Sequence, residues 1–315
     1  MLAECLVRNS WKLSLCLVSG FFCFSASIEG KIPKKCGSGV TLQLSAPEST
    51  QGSLLLLEVR SNGPIAALSG EWSGKALAFW QVGDAQPRSK SSAMDLRRAL
   101  LGVDLEKAPG TYPVSVHVQI AGGKRNTCTL QIPVRKGKFA TERLHVEKEF
   151  VEPSPEQIKR ANEERDRLRE IFDQVTPQKL WSGSFRVPLD GVSTGGNFGK
   201  RRILNGQPGS PHSGVDFPEA TGIPVHAAQT GRVVLAQELF FSGNTVVVDH
   251  GLGIYTFYGH LSAIDVKAGD DVQSGQVLGK VGATGRVTGP HLHWGLTVER
   301  ARVNPLQLVS LLQNE

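Results

Sequence analysis

Residues 210–217 read Ser210-Pro211-His212-Ser213-Gly214-Val215-Asp216-Phe217, and residues 289–298 read Gly289-Pro290-His291-Leu292-His293-Trp294-Gly295-Leu296-Thr297-Val298. In the second stretch the period is two, the signature of a strand, so His291 and His293 share one face while Leu292 points into a core. The first stretch carries His212 and Asp216. In a straight strand these would lie about 13 Å apart, too far to share an ion. Pro211, Gly214 and Pro218 argue against a helix, so a bend at Gly214 is the expected solution. Two imidazoles and a carboxylate are the donor types that zinc favours, and a catalytic site uses three protein ligands and keeps a position open for water. His212 and Asp216, with one of the neighbouring imidazoles His291 and His293, are therefore the candidate metal ligands, the other imidazole suiting an acid–base role.

Working outward, residues 232–236, 245–249, 255–260, 277–281 and 291–298 read as short strands punctuated by glycine, with no long helix between them. That texture predicts an antiparallel β domain over residues 181–315. In its middle, Thr256, Tyr258 and His260 share strand parity and are expected to form a polar edge, with Tyr255 and Phe257 on the opposite face.

Here the chain resembles a known family. Asn197-Phe198-Gly199, the run 211–217, the run 244–251, Tyr258-Gly259-His260-Leu261 and the run 282–294 are similar, in order, to the lysostaphin/LytM-type zinc endopeptidases. The resemblance covers about 120 residues, 185–306, and implies an antiparallel β peptidase fold holding one Zn2+ ion. It implies that His212, Asp216 and His293 ligate the metal and that His291 and His260 line the catalytic water and transition state. His291 would be the general base, and His260 an oxyanion donor or proton shuttle. Some family members carry a tyrosine shortly before the first ligand; residues 203–210 contain none. The implied substrate is the peptide portion of bacterial peptidoglycan, and no cofactor beyond the metal is implied. The alternative of a different class is a non-catalytic regulator, a partner protein that activates another wall hydrolase. A carrier module is disfavoured, because residues 240–244 offer no lysine at the hairpin tip.

The other histidines carry blander expectations. His117 and His145 read as surface residues, His250 as structural and His226 as a turn-side residue, while Asn197 and Arg201 line the groove or hold its loop.

Towards the N-terminus, residues 40–44, 54–59, 76–80, 112–120 and 128–134 read as strands of an immunoglobulin-like sandwich spanning residues 28–140. Residues 141–180 read as a linker whose helix starts at Ser154 with an S-x-x-Q capping box, carries Pro155 in its first turn and runs as a spacer to Val175. Its sparse apolar stripe is Ile158, Ala161, Leu168, Phe172 and Val175.

Residues 1–27 read as an export signal: Arg8 and Lys12 precede the apolar run 13–24 and the small residues Ser25, Ala26 and Ser27. Cleavage there leaves Cys36 and Cys128, the expected disulfide of an exported chain. The implied setting is the periplasm or cell envelope, without an integral membrane anchor. With 35 Lys and Arg against 29 Asp and Glu, the charge of +6 favours anionic polymers, and no arginine-rich helix or aromatic-basic stripe supports nucleic-acid binding.

Overall fold

The computed structural model describes residues 33–83, 94–192 and 195–313, so the export-signal reading of residues 1–27 lies outside the described residues. The chain is mainly β. Its N-terminal part is built of two five-stranded sheets. Leu55, Leu57, Val59, Ala99 and Leu101 of one sheet meet Val114, Val116, Val118, Ile132 and Val134 of the other. The two sheets are tied by a Cys36–Cys128 disulfide with Cα atoms 5.7 Å apart.

The strand Leu54–Ser61 opens with four consecutive leucines, an unbroken apolar run that alternation alone does not explain. Both of its faces are buried. The odd residues face the core shared by the two sheets, while Leu54 and Leu56, with Leu100 and Trp80, join the core of the C-terminal part alongside Trp181, Leu296, Leu308 and Leu312. Each such leucine side chain stabilises by roughly 1.5–3 kcal/mol when fully buried, so the contact between the two parts is a packed apolar interface. Polar groups seal its rim. Arg302 donates to both oxygens of Asp104 at 3.0 and 2.7 Å, and the Leu54 amide donates to Gln307 Oε1 at 2.6 Å.

Several elements differ from expectation. The strands Ile65–Trp72 and Asp95–Gly102 were not anticipated, and the expected strand at 76–80 is split into Lys75–Ala76 and Trp80–Gln81. Asp95–Gly102, DLRRALLG, has helix-favouring composition, but it pairs with Leu54–Ser61 along its whole length and buries its last four residues. Tertiary pairing overrides local preference here.

The helix α1, Pro155–Asp173, follows its sequence signals. The Ser154 hydroxyl accepts from the Gln157 amide and the Gln157 side chain accepts from the Ser154 amide, completing the capping box. A second helix, α2 (Pro305–Leu311), was not anticipated; Asn304 caps it, accepting from the Leu306 amide at 3.0 Å.

The C-terminal part centres on a seven-stranded sheet. Its path runs Gly214–Phe217, Leu292–Val298, Ile254–Leu261, Gly243–Asp249, Gly231–Leu239 and Asp271–Val272, every neighbour antiparallel, with Ala301–Val303 paired beside Leu292–Val298. Among the described residues, no helix is long and apolar enough to cross a membrane.

Candidate metal centre and its cleft

Register creates the site. Asp216 stands directly opposite His293, and His293 directly opposite Gly259 on the next strand. Cross-strand partners share a face, so the carboxylate and the imidazole project side by side. One row along, Gly214 pairs with Gly295, and Gly295 with Phe257. Glycines at 214, 259 and 295 thus keep this face low around the donors. The opposite face carries Val215, Leu292, Trp294 and Tyr258, all buried in the core.

His212 reaches the same point from the irregular segment before the strand. His212 Nε2 lies 3.0 Å from Asp216 Oδ1 and 2.8 Å from His293 Nδ1, and His293 Nδ1 lies 3.0 Å from the same carboxylate oxygen. The expected bend at Gly214 is not how this is achieved. Gly214 is the first residue of the extended strand Gly214–Phe217, and the chain turns ahead of it. Glycine is needed there for space: a Cβ would sit 2.6 Å from His293 Cε1 and 2.7 Å from its Nε2.

The rings are oriented from behind. His212 Nδ1 lies 2.9 Å from the Asn197 carbonyl, His291 Nδ1 lies 2.8 Å from the Gly289 carbonyl and His260 Nδ1 lies 2.8 Å from the Thr284 carbonyl. A carbonyl only accepts, so each neutral ring carries its proton on Nδ1 and offers the lone pair of Nε2. His291 Nε2 lies 3.7 Å from Asp216 Oδ1. The ring centroid of His260 is 4.8 Å from that of His291 and 5.9 Å from that of His293.

His260 arrives there by breaking strand parity. Its φ is +63, a left-handed value costly for a residue with a side chain. The expected polar edge of Thr256, Tyr258 and His260 is therefore not formed. Thr256 and Tyr258 lie on the core face, where the Thr256 hydroxyl meets His250 Nε2 at 2.8 Å and Tyr258 Oη at 3.0 Å. Phe257 instead lines the cleft with His260.

Electrostatics suits cation binding. Burial would raise the Asp216 carboxyl, but its contacts with His212 and His293 hold it well below the usual carboxylate range. Burial, with the neighbouring His293 and His291, pushes His260 down to about 3, and burial likewise depresses His293. His260 is therefore neutral near pH 7, and the shift at His293 favours the neutral ring that metal ligation requires. Two imidazoles and one carboxylate, their donor atoms all within 4.8 Å of one another, form the kind of set that fits a small divalent cation.

Two cationic residues of the cleft escaped the sequence reading. Arg202, not Arg201, reaches the centre, donating to Asp216 Oδ2 at 3.2 Å; Arg201 is exposed. Arg286 lies over the Phe241 ring at 4.5 Å and lines the cleft on both sides of the donors. Asn197 serves through its backbone carbonyl, at φ +75. The remaining histidines lie elsewhere. His226 is bonded to Gly275 and Asp190, His117 to Thr127, His250 is wholly buried against Thr230 and Thr256, and His145 is exposed.

The cleft itself is about 320 Å³ on the side lined by His212, His260, His293, Phe257 and the α1 residues Leu168 and Phe172. On the other side, lined by Asp216, His291, Glu142, Leu144 and Val146, it is about 250 Å³. The segment expected to be only a spacer therefore walls the cleft at both ends.

The signature of Peptidase family M23 matches residues 210–305, and the chain carries an M23 peptidase domain there. The chain is 34% identical over 174 residues to the peptidoglycan DD-endopeptidase ShyA of Vibrio cholerae, a match covering 55% of this chain and 35% of ShyA. To the peptidoglycan DD-endopeptidase ShyC of the same organism it is 40% identical over 142 residues, covering 44% and 32%. The chain thus spans about a third of the length of these curated relatives. The crystal structure of a candidate M23 peptidase from Pseudomonas aeruginosa superposes with a TM-score of 0.55 at 29% identity, covering 83% of this chain and 95% of that one. That likeness extends well beyond the M23 domain into the N-terminal sheets.

Proposed function

We propose, from the M23 domain at residues 210–305, that this chain is an exported zinc endopeptidase that cuts peptide cross-links of bacterial peptidoglycan. The convergence of His212, Asp216 and His293 on one point, with His291 and His260 beside it, carries the reading. His212 Nε2, His293 Nδ1 and an Asp216 oxygen would hold the metal. Zinc bound there supplies Lewis acidity, polarising the scissile carbonyl and acidifying a water.

The residues supply the remainder. His291, its Nδ1 proton held by Gly289, takes the proton of the attacking water at Nε2 and passes it to the leaving amine. His260 carries the same tautomer, so in the resting state its Nε2 accepts rather than donates. This favours a water-positioning and proton-shuttling role over oxyanion donation. Arg202 neutralises the far oxygen of Asp216 and fixes the carboxylate plane. The glycine-lined face leaves room for an extended peptide between the walls. The relatives ShyA and ShyC are both named for peptidoglycan endopeptidase activity, which supports the substrate class.

The alternative, an activator of another hydrolase, makes an opposite prediction. With purified sacculi as the only other component, the wild-type chain is expected to release soluble muropeptides and His291→Ala to lose at least 100-fold in rate. Equal release by both proteins would reject the general-base role, and no release by either would favour the activator.

A further inference from the structure

The cleft contains more positive charge than its own acids use. Glu142 accepts from Lys200 Nζ at 3.0 Å, and Asp216 is shared among His212, His293 and Arg202. Among the described residues, no carboxylate lies within ion-pair range of Arg286, although its side chain is half-buried. Burial, aided by the charge of Arg202, depresses its guanidinium to about 10. Leaving a desolvated cation unpaired is costly, and proteins tolerate that cost chiefly where a ligand completes the pair.

Its placement is well defined. Gly285, at φ +73, packs so closely that a Cβ would lie 2.4 Å from the Gly243 nitrogen and 2.7 Å from the Phe241 carbonyl oxygen. The Arg286 amide donates to that carbonyl at 2.9 Å, and the Thr284 hydroxyl donates to the Leu261 carbonyl at 2.8 Å. Thr284 also orients His260 through its own carbonyl. One short segment thus sets both a proposed proton-handling ring and a free guanidinium. One face of the guanidinium is covered by Phe241, so its N–H edge is what remains for a planar anion.

We infer that Arg286 is a specificity residue that pairs with a carboxylate of the bound peptide, next to the bond to be cut. This rests on the peptide-cutting reading above and narrows it: the preferred substrate carries a free carboxylate close to the scissile bond. In a stem peptide that group is either the C-terminal α-carboxyl or the side-chain carboxyl of a diamino-diacid residue. Both present the same planar anion.

The test uses the full zinc-loaded chain and two pairs of synthetic stem peptides. One pair has the α-carboxyl free or amidated, and the other has the diamino-acid side-chain carboxyl free or amidated. Calorimetric binding is expected to favour the free acid at least tenfold in one pair, which identifies the source. Arg286→Gln should bring that ratio within twofold while zinc affinity and circular dichroism stay as in the wild type. Arg286→Lys should keep part of the preference. A preference that survives Arg286→Gln, or a wild-type chain that binds acid and amide equally, overturns the inference. Cutting of sacculi without any acid preference would retain the endopeptidase reading and reject this one. Acid-selective binding without cutting would do the reverse.

Discussion

Gly214 touches the proposed metal centre without offering it an atom, because the His293 imidazole occupies the space a side chain would need. Gly214→Ala is therefore expected to displace His293 and weaken zinc binding at least tenfold while leaving the sheet intact. Competition with a chromophoric chelator measures this, and an unchanged affinity would show that the ring relaxes freely. His250 gives a different prediction. It is wholly buried, with Nδ1 on the Thr230 carbonyl and Nε2 on the Thr256 hydroxyl, and burial pushes it down to about 4. The unfolded chain, where histidine titrates near 6.5, then binds more protons than the folded one. Stability should be complete above pH 6.5 and fall towards pH 4, losing about 2 kcal/mol from this group by pH 5. His250→Gln should flatten that acid limb in pH-dependent denaturant melts; an identical slope would place the proton uptake elsewhere. At this scale much was legible. The five cleft histidine and aspartate positions stand out because few residue types do this chemistry and strand parity pairs two of them. Arg202 and Arg286 did not stand out, since arginine is common on surfaces and only the fold brings these two beside Asp216 and Phe241.

The helix α1 illustrates what an element's sequence does and does not reveal. Its start is written in the Ser154 and Gln157 pair, because capping is local chemistry. Its seat is not local. Phe172 packs edge-on against Tyr255 at 5.4 Å, Tyr255 donates its hydroxyl to the Gln174 carbonyl at 2.8 Å, and Glu164 accepts from the Phe240 amide at 2.7 Å. Nothing in the spacing of the helix announces that Leu168 and Phe172 line the cleft. Phe172→Ala is expected to cost about 2 kcal/mol, less than a full core truncation because the ring is half-buried. The loss should be local, with α1 amides exchanging faster while the Leu292–Val298 ladder keeps its protection. Uniform acceleration across both would mean that the helix and the sheet open as one unit. The strand parity argument succeeded for Leu292–Val298 and failed at His260 for one reason, a single left-handed residue that reverses the side-chain face.

Across the whole molecule, the run of leucines at 54–57 joins the two parts by burying alternate residues in two different cores. A sequence with two β-rich parts and a helix between them suggests independent units, and the apolar contact through Leu54, Leu56, Leu100 and Trp80 is invisible to local patterning. The linker that walls the cleft is anchored in the same way, its strand Thr141–Leu144 pairing in parallel with Arg201–Leu204 just ahead of the centre. The central claim is that this assembled cleft is a one-zinc peptidase site, and its most direct test is mass spectrometry of fragments released from purified peptidoglycan. The chain would be stripped by a chelator and then given a single equivalent of zinc. New peptide ends absent from the stripped sample and restored by that one equivalent are the predicted result, whereas fragments that are insensitive to the chelator, or silence after zinc is restored, would contradict the account.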